Sequence, residues 1–107
     1  MMEWKVQYLK EALKDLKSLD NSQQLQVLKA IDKVSKNPLP NFEGGYGKPL
    51  GNKSNTNLTG YFKIKLLKLG IRVVYGLVKE QGIMRIIVIS VREDDTVYQI
   101  AVDRVDD

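Results

Sequence analysis

The sequence predicts an α+β fold: a small antiparallel sheet of about four strands, with an N-terminal hairpin of two helices on one face and a short C-terminal helix. Three observations carry this prediction. Apolar residues recur at helical spacing in two blocks before Pro38. Three strand-like runs follow Gly60 with short connectors between them, and short connectors make sequence neighbours antiparallel. The chain then returns to helical character from about Asp94.

Taken in order, Trp4-Lys5-Val6-Gln7-Tyr8 alternates in character and reads as a first strand. Leu9, Ala12, Leu13, Leu16 and Leu19 fall on one helical face. Asp20-Asn21-Ser22 interrupts that helix and offers an N-cap for a second, whose expected inward stripe is Leu25, Leu28, Ile31 and Val34 or Ser35. Pro38 ends it by disfavouring helical geometry at Asn37. Residues 41–60 lack periodicity, are rich in glycine and asparagine, and read as one long loop. The three strand runs are Tyr61–Leu67, Ile71–Val78 and Met84–Val91, joined by Lys68-Leu69-Gly70 and by a turn around Glu80-Gln81-Gly82. A terminal helix from Asp94 to Val105 has Asp94 or Asp95 near its positive N-terminal end. The helix hairpin is expected to cover one face of the sheet and to leave the other free.

The chain has 107 residues, which fits a single domain over 1–107 with one compact core and little room for a deep cavity. It has no cysteine, which excludes disulfides and thiolate chemistry. It has no histidine either, which removes the commonest general base and metal ligand. We expect no cofactor and no metal. No apolar run approaches the roughly 18–20 residues of a membrane span, and Met1-Met2-Glu3-Trp4-Lys5 has no apolar signal region. A cytoplasmic protein with no membrane partner is expected.

The net charge is +4, and its distribution says more than its size. No acidic residue lies between Glu43 and Glu80, where Lys48, Lys53, Lys63, Lys65, Lys68, Arg72 and Lys79 all fall. The acids gather near the end, at Glu93, Asp94, Asp95, Asp103, Asp106 and Asp107. A one-sign stretch in a folded domain can focus potential towards phosphates.

Strand alternation puts Tyr61, Lys63 and Lys65 on one face and Phe62, Ile64 and Leu66 on the other. If Leu67 lies opposite Arg72, Arg72 joins the lysines. A slip of one residue would bury its guanidinium in the core. The ordinary reading of such a face is a solvated surface. Likewise, Arg92 after the last strand and Tyr98 in the terminal helix are, taken alone, structural residues more often than not.

Longer motifs shift that balance. Tyr61-Phe62-Lys63-Ile64-Lys65-Leu66, Gly70-Ile71-Arg72-Val73-Val74-Tyr75 and Ile89-Ser90-Val91 resemble the signature of the RelE family of type II toxin–antitoxin systems. There a Y-K-I-K-L strand leads to G-x-R-hydrophobic-V-Y and then to V-I-S-V. Pro49-Leu50-Gly51 resembles the family's upstream L-x-G element, and Arg92 and Tyr98 keep its arginine-to-tyrosine interval. Two departures stand out. The 41–60 loop, with Gly44-Gly45-Tyr46-Gly47, is long, and the acids Glu93-Asp94-Asp95 follow Arg92 directly and would weaken phosphate binding there.

The resemblance implies a messenger RNA interferase, a metal-independent endoribonuclease acting on messenger RNA in the ribosomal A site and held in check by a cognate antitoxin protein. It implies catalytic roles for Lys63, Lys65, Arg72, Arg92 and Tyr98. RNA supplies its own nucleophile, the 2′-hydroxyl, so the protein must align the attack and neutralise charge on the phosphorane. Lys65 is then the expected base, because neighbouring cations disfavour its proton. Arg72 stabilises the transition state, Arg92 assists the leaving oxygen, Lys63 holds phosphate, and Tyr98 stacks on or orients a base. Two other classes compete. A ParE-like toxin shares the architecture but inhibits DNA gyrase and lacks this residue set, and a basic binding module has no catalysis at all.

Overall fold

A computed structural model describes residues 4–53 and 56–105. The first three residues, part of the expected loop and the last two acids lie outside the described residues. The elements are β1 (Lys5–Tyr8), α1 (Lys10–Lys17), α2 (Asn21–Ser35), β2 (Lys48–Lys53), β3 (Thr56–Leu66), β4 (Ile71–Val78), β5 (Ile83–Ser90) and α3 (Asp94–Val105). A short 3-10 turn, Asn41–Glu43, precedes β2, and another, Lys79–Gln81, joins β4 to β5.

The α+β class is as predicted, but the sheet has five strands, ordered β1-β5-β4-β3-β2. The additional strand is β2, within the segment read as a loop. Pro49 and Gly51 erase any side-chain alternation there, and both are tolerated because β2 is an edge strand. Its backbone pairs antiparallel with β3, Lys48 opposite Lys63 and Gly51 opposite Leu58, across a bulge between Pro49 and Gly51. The sheet is also mixed: β1 runs parallel to β5, Lys5 opposite Ile83 and Tyr8 opposite Ile86. Connector length constrains only strands adjacent in sequence, and these two are not.

Asp20 caps α2 by accepting from Gln23 N at 2.8 Å, while the Gln23 side chain accepts from Asp20 N at 3.2 Å. This reciprocal capping box starts the helix where the sequence places it. The buried stripe of α2 is Val27, Ile31 and Val34, and Leu25 and Leu28 are exposed. The apolar arc of α2 is wider than one docking stripe, and contact with the sheet selects the half that includes Val27.

On that face Ala12, Leu16, Val27, Ile31 and Val34 pack on Phe62, Ile71, Val73, Tyr75, Met84, Ile86 and Ile89. Tyr75 is fully buried; its ring stacks on Phe62 at 5.3 Å and its hydroxyl donates to Pro38 O at 3.0 Å. The opposite face is not left free. A second core of Leu50, Leu58, Val74, Ile87, Val88, Val97, Tyr98 and Ala101 sits between the sheet and α3. The central strands are thus covered on both sides. The unbroken run Ile86-Ile87-Val88-Ile89 carries that information, since a strand buried on both faces does not alternate.

Candidate active site

The β3–β4 hairpin brings the cations together. Its turn closes at Gly70, whose φ of +64° suits glycine. Lys65 pairs with Arg72, and Arg72 with Ser90 on β5, so one cross-strand row holds Lys65, Arg72 and Ser90. Sequence reasoning supposes Leu67 opposite Arg72. The register differs by two residues, which preserves parity and leaves Arg72 on the lysine face. Lys63 lies two residues back along β3 on the same face.

The first turn of α3 lies over this row. Lys65 Nζ is 3.0 Å from Asp94 Oδ2, and Arg72 Nε donates to Asp94 Oδ1. Arg72 Nη1 also donates to Arg92 O at 2.9 Å and to Gly70 O at 3.4 Å. The guanidinium therefore ties the β3–β4 turn to the start of α3. Burial alone would raise the Asp94 pKa, but hydrogen bonds and charge from Lys65 and Arg72 outweigh it and hold the carboxyl below the usual carboxylate range. All three side chains remain about one-quarter to one-third exposed.

Lys63 Nζ donates to the Tyr98 hydroxyl at 3.4 Å. The Tyr98 residue is only 3% exposed and belongs to the second core. No free face of the ring is available for stacking in this conformation, contrary to the role that the resemblance implied. Only its hydroxyl reaches the cations. Burial, reinforced by Asp94, pushes the phenol pKa up to about 12, so it stays protonated as a donor.

Arg92 follows β5; its backbone nitrogen donates to Ser90 Oγ at 3.1 Å, and its carbonyl is held by Arg72. Its side chain is exposed at the rim of the cluster and has no ion pair among the described residues. The structure thus joins Lys63, Lys65, Arg72 and Tyr98 through a few contacts and leaves Arg92 beside them.

What sequence reasoning missed is the pairing of Asp94 with Lys65 and Arg72. That reasoning had Asp94 near the helix N-terminus and as a damper of phosphate binding. The available signal was its position four residues before Tyr98, which puts both on one helix face. Among the described residues, no three aspartate, glutamate, histidine or cysteine side chains gather where they would hold a metal ion. No helix among them is long and apolar enough to cross a membrane.

No protein-family model matches the chain. It is 32% identical over 103 residues to a RelE-like toxin protein of Escherichia coli, covering 96% of this chain and 98% of that protein. Its fold is similar to a doubly substituted mutant of the Escherichia coli toxin RelE in the free state, with a TM-score of 0.76 and 26% identity, covering 97% of this chain and 99% of that one. It is also similar to a chain of a RelBE toxin–antitoxin complex from Mycobacterium tuberculosis, with a TM-score of 0.67 and 25% identity, covering 88% of this chain and 97% of that one. This near full-length similarity, together with the cationic row between the β3–β4 hairpin and α3, shows that the chain belongs to the RelE toxin family.

Proposed function

We propose that this toxin is a metal-independent endoribonuclease that cuts messenger RNA in the ribosomal A site. The observation that supports this best is that Lys65 and Arg72 hold one anion between them, the Asp94 carboxylate, with Lys63 and the Tyr98 hydroxyl bonded to each other on the same face. A set that holds a carboxylate with charged donors has the donors a phosphodiester needs.

In the reaction the RNA 2′-oxygen attacks the adjacent phosphorus as its proton passes to Lys65, which can take it only as the free amine and therefore only once its ion pair with Asp94 is broken. The bond to the 5′-oxygen then breaks, that oxygen takes up a proton from the Lys65 ammonium or from water, and a 2′,3′-cyclic phosphate is left. Arg72 offers the phosphorane a guanidinium already oriented by Gly70 O and Arg92 O, so little reorganisation is needed as charge develops. Arg92, exposed beside the cluster, assists the departing 5′-oxygen. Lys63 and the Tyr98 hydroxyl hold the non-bridging oxygens.

The partners of this reading are the ribosome, its messenger RNA and a cognate antitoxin. The Mycobacterium tuberculosis relative is part of a toxin–antitoxin complex, which supports the last of these. In vitro translation followed by primer extension tests the proposal. Cuts within A-site codons are expected. Loss of gyrase supercoiling without cuts would instead mark a ParE-like toxin, and neither result would leave a binding module.

A further inference from the structure

We propose that Asp94 is an internal plug: its carboxylate occupies the phosphate position of the cationic site, and an RNA strand enters only by expelling it. The inference rests on the reading that the scissile phosphate sits against Lys65 and Arg72, but it concerns anion binding and not cleavage.

The geometry carries it. The two carboxylate oxygens are divided between the two cations, Oδ2 to Lys65 and Oδ1 to Arg72, as two oxygens of one phosphate would be. The position also lies at the N-terminal turn of α3, where backbone N–H groups favour an anion of either kind. Phosphate and Asp94 cannot use the same donors at once.

The plug is suited to being displaced. All three side chains are partly exposed, and ion pairs in that setting are weak and weakened further by salt. Tethering gives the carboxylate its advantage, because an intramolecular group competes at an effective concentration on the order of millimolar or above. A free phosphate or a loose RNA strand below that level loses the competition. A strand held by a larger scaffold gains its own effective concentration and overcomes it. Asp94 thereby sets a threshold that refuses free RNA and admits presented RNA.

The test uses the full chain, inorganic phosphate as the probe and constant ionic strength, with amide and arginine side-chain resonances followed by NMR. Asp94→Asn keeps the shape of the side chain and removes its charge. Glu93→Gln removes an equal charge from the neighbouring exposed residue, whose side chain is outside the cluster. Asp94→Asn is expected to bind phosphate at Lys65 and Arg72 at least about tenfold more tightly, and Glu93→Gln to change affinity by less than about twofold.

Equal or weaker binding by a folded Asp94→Asn protein would overturn the proposal and make Asp94 a residue that positions the cations. An equal gain in both variants would overturn it too, as an effect of bulk charge. Wild-type protein gives an answer that needs no variant. The Asp94 carboxylate carbon resonance should move as phosphate saturates Lys65 and Arg72. If both cations respond while that carbon stays unchanged, Asp94 is not displaced and the plug is refuted. Absence of ribosomal cleavage alongside these phosphate results would count against the ribonuclease reading alone.

Discussion

Arg104, in the last turn of α3, donates from Nη1 to Asp15 Oδ2 at 2.7 Å and from Nη2 to Asp15 Oδ1 at 3.2 Å. This two-point pair joins α3 to α1 across the edge of β5 beyond the end of β1. There Asp15 Oδ2 accepts from Ile89 N at 3.0 Å, and Arg104 Nη1 donates to Ile87 O at 2.9 Å. The pair thus satisfies backbone groups that β1 is too short to reach. With Asp94 at its other end and Val97, Tyr98 and Ala101 buried between, α3 is held along its length. The tyrosine ring, the alanine contact and an ion pair at each end thus anchor this helix together with Val97.

Removing Arg104 should therefore cost stability. Arg104→Ala leaves a partly buried carboxylate and the Ile87 carbonyl without their donor, and a loss of about 1–3 kcal/mol is expected. Urea denaturation measures it. A loss below about 0.5 kcal/mol would mean that water replaces the guanidinium without cost.

Catalysis should depend on particular cations and not on their number. Arg72→Ala and Arg92→Ala are each expected to lower ribosomal cleavage by about 10²-fold or more with the fold retained. Lys68→Ala should change it little, because Lys68 lies in the exposed β3–β4 turn. Equal losses at Lys68 and Arg72, read by primer extension, would place the effect in bulk charge.

Tyr98 offers a separation of ring from hydroxyl. Tyr98→Phe keeps the buried ring and should leave the melting temperature close to that of the parent, while cleavage falls through loss of the donor to the site. Tyr98→Ala empties part of the second core and should cost about 3–5 kcal/mol. Were Tyr98→Phe fully active, the residue would serve packing alone.

The same tyrosine predicts a response to alkali. Burial first, and then the Asp94 charge, push its pKa up to about 12, whereas an unfolded tyrosine ionises near pH ~10. The native state therefore holds this proton more tightly. The resulting stabilisation is complete below about pH 10 and is lost as the pH rises towards 12. Buried Tyr75 acts in the same direction. Phenolate absorbance should show both titrating late, with unfolding accompanying their ionisation. Their ionisation near pH ~10 in a folded protein would contradict the burial seen here.

Two routes by which an antitoxin would act on the site itself are displacing α3 and shielding the cations. Hydrogen exchange on residues 94–105, with and without the cognate partner, distinguishes them. Faster exchange from Val97 to Ala101 means displacement. Unchanged or slower exchange with Lys63, Lys65 and Arg72 covered means shielding. If neither occurs, the partner inhibits only by keeping the toxin out of the ribosome.

Much of this molecule was determined by local sequence. Helical spacing located the two N-terminal helices, alternation located β3 from Tyr61 onward, and apolar runs with short connectors located β4 and β5. The Asp20–Gln23 box started α2, and the penalty for burying Arg72 set the parity that places it with Lys63 and Lys65. Only the tertiary structure decided the rest, because each remaining feature joins residues far apart in the chain. Edge strand β2 is held by backbone pairing and needs no side-chain pattern, so Pro49 and Gly51 concealed it. β1 lies parallel to β5 across nearly the whole sequence. Tyr98 is buried because α3 covers the second face of the sheet, and Asp94 lies between Lys65 and Arg72 because that packing sets its first turn over their row.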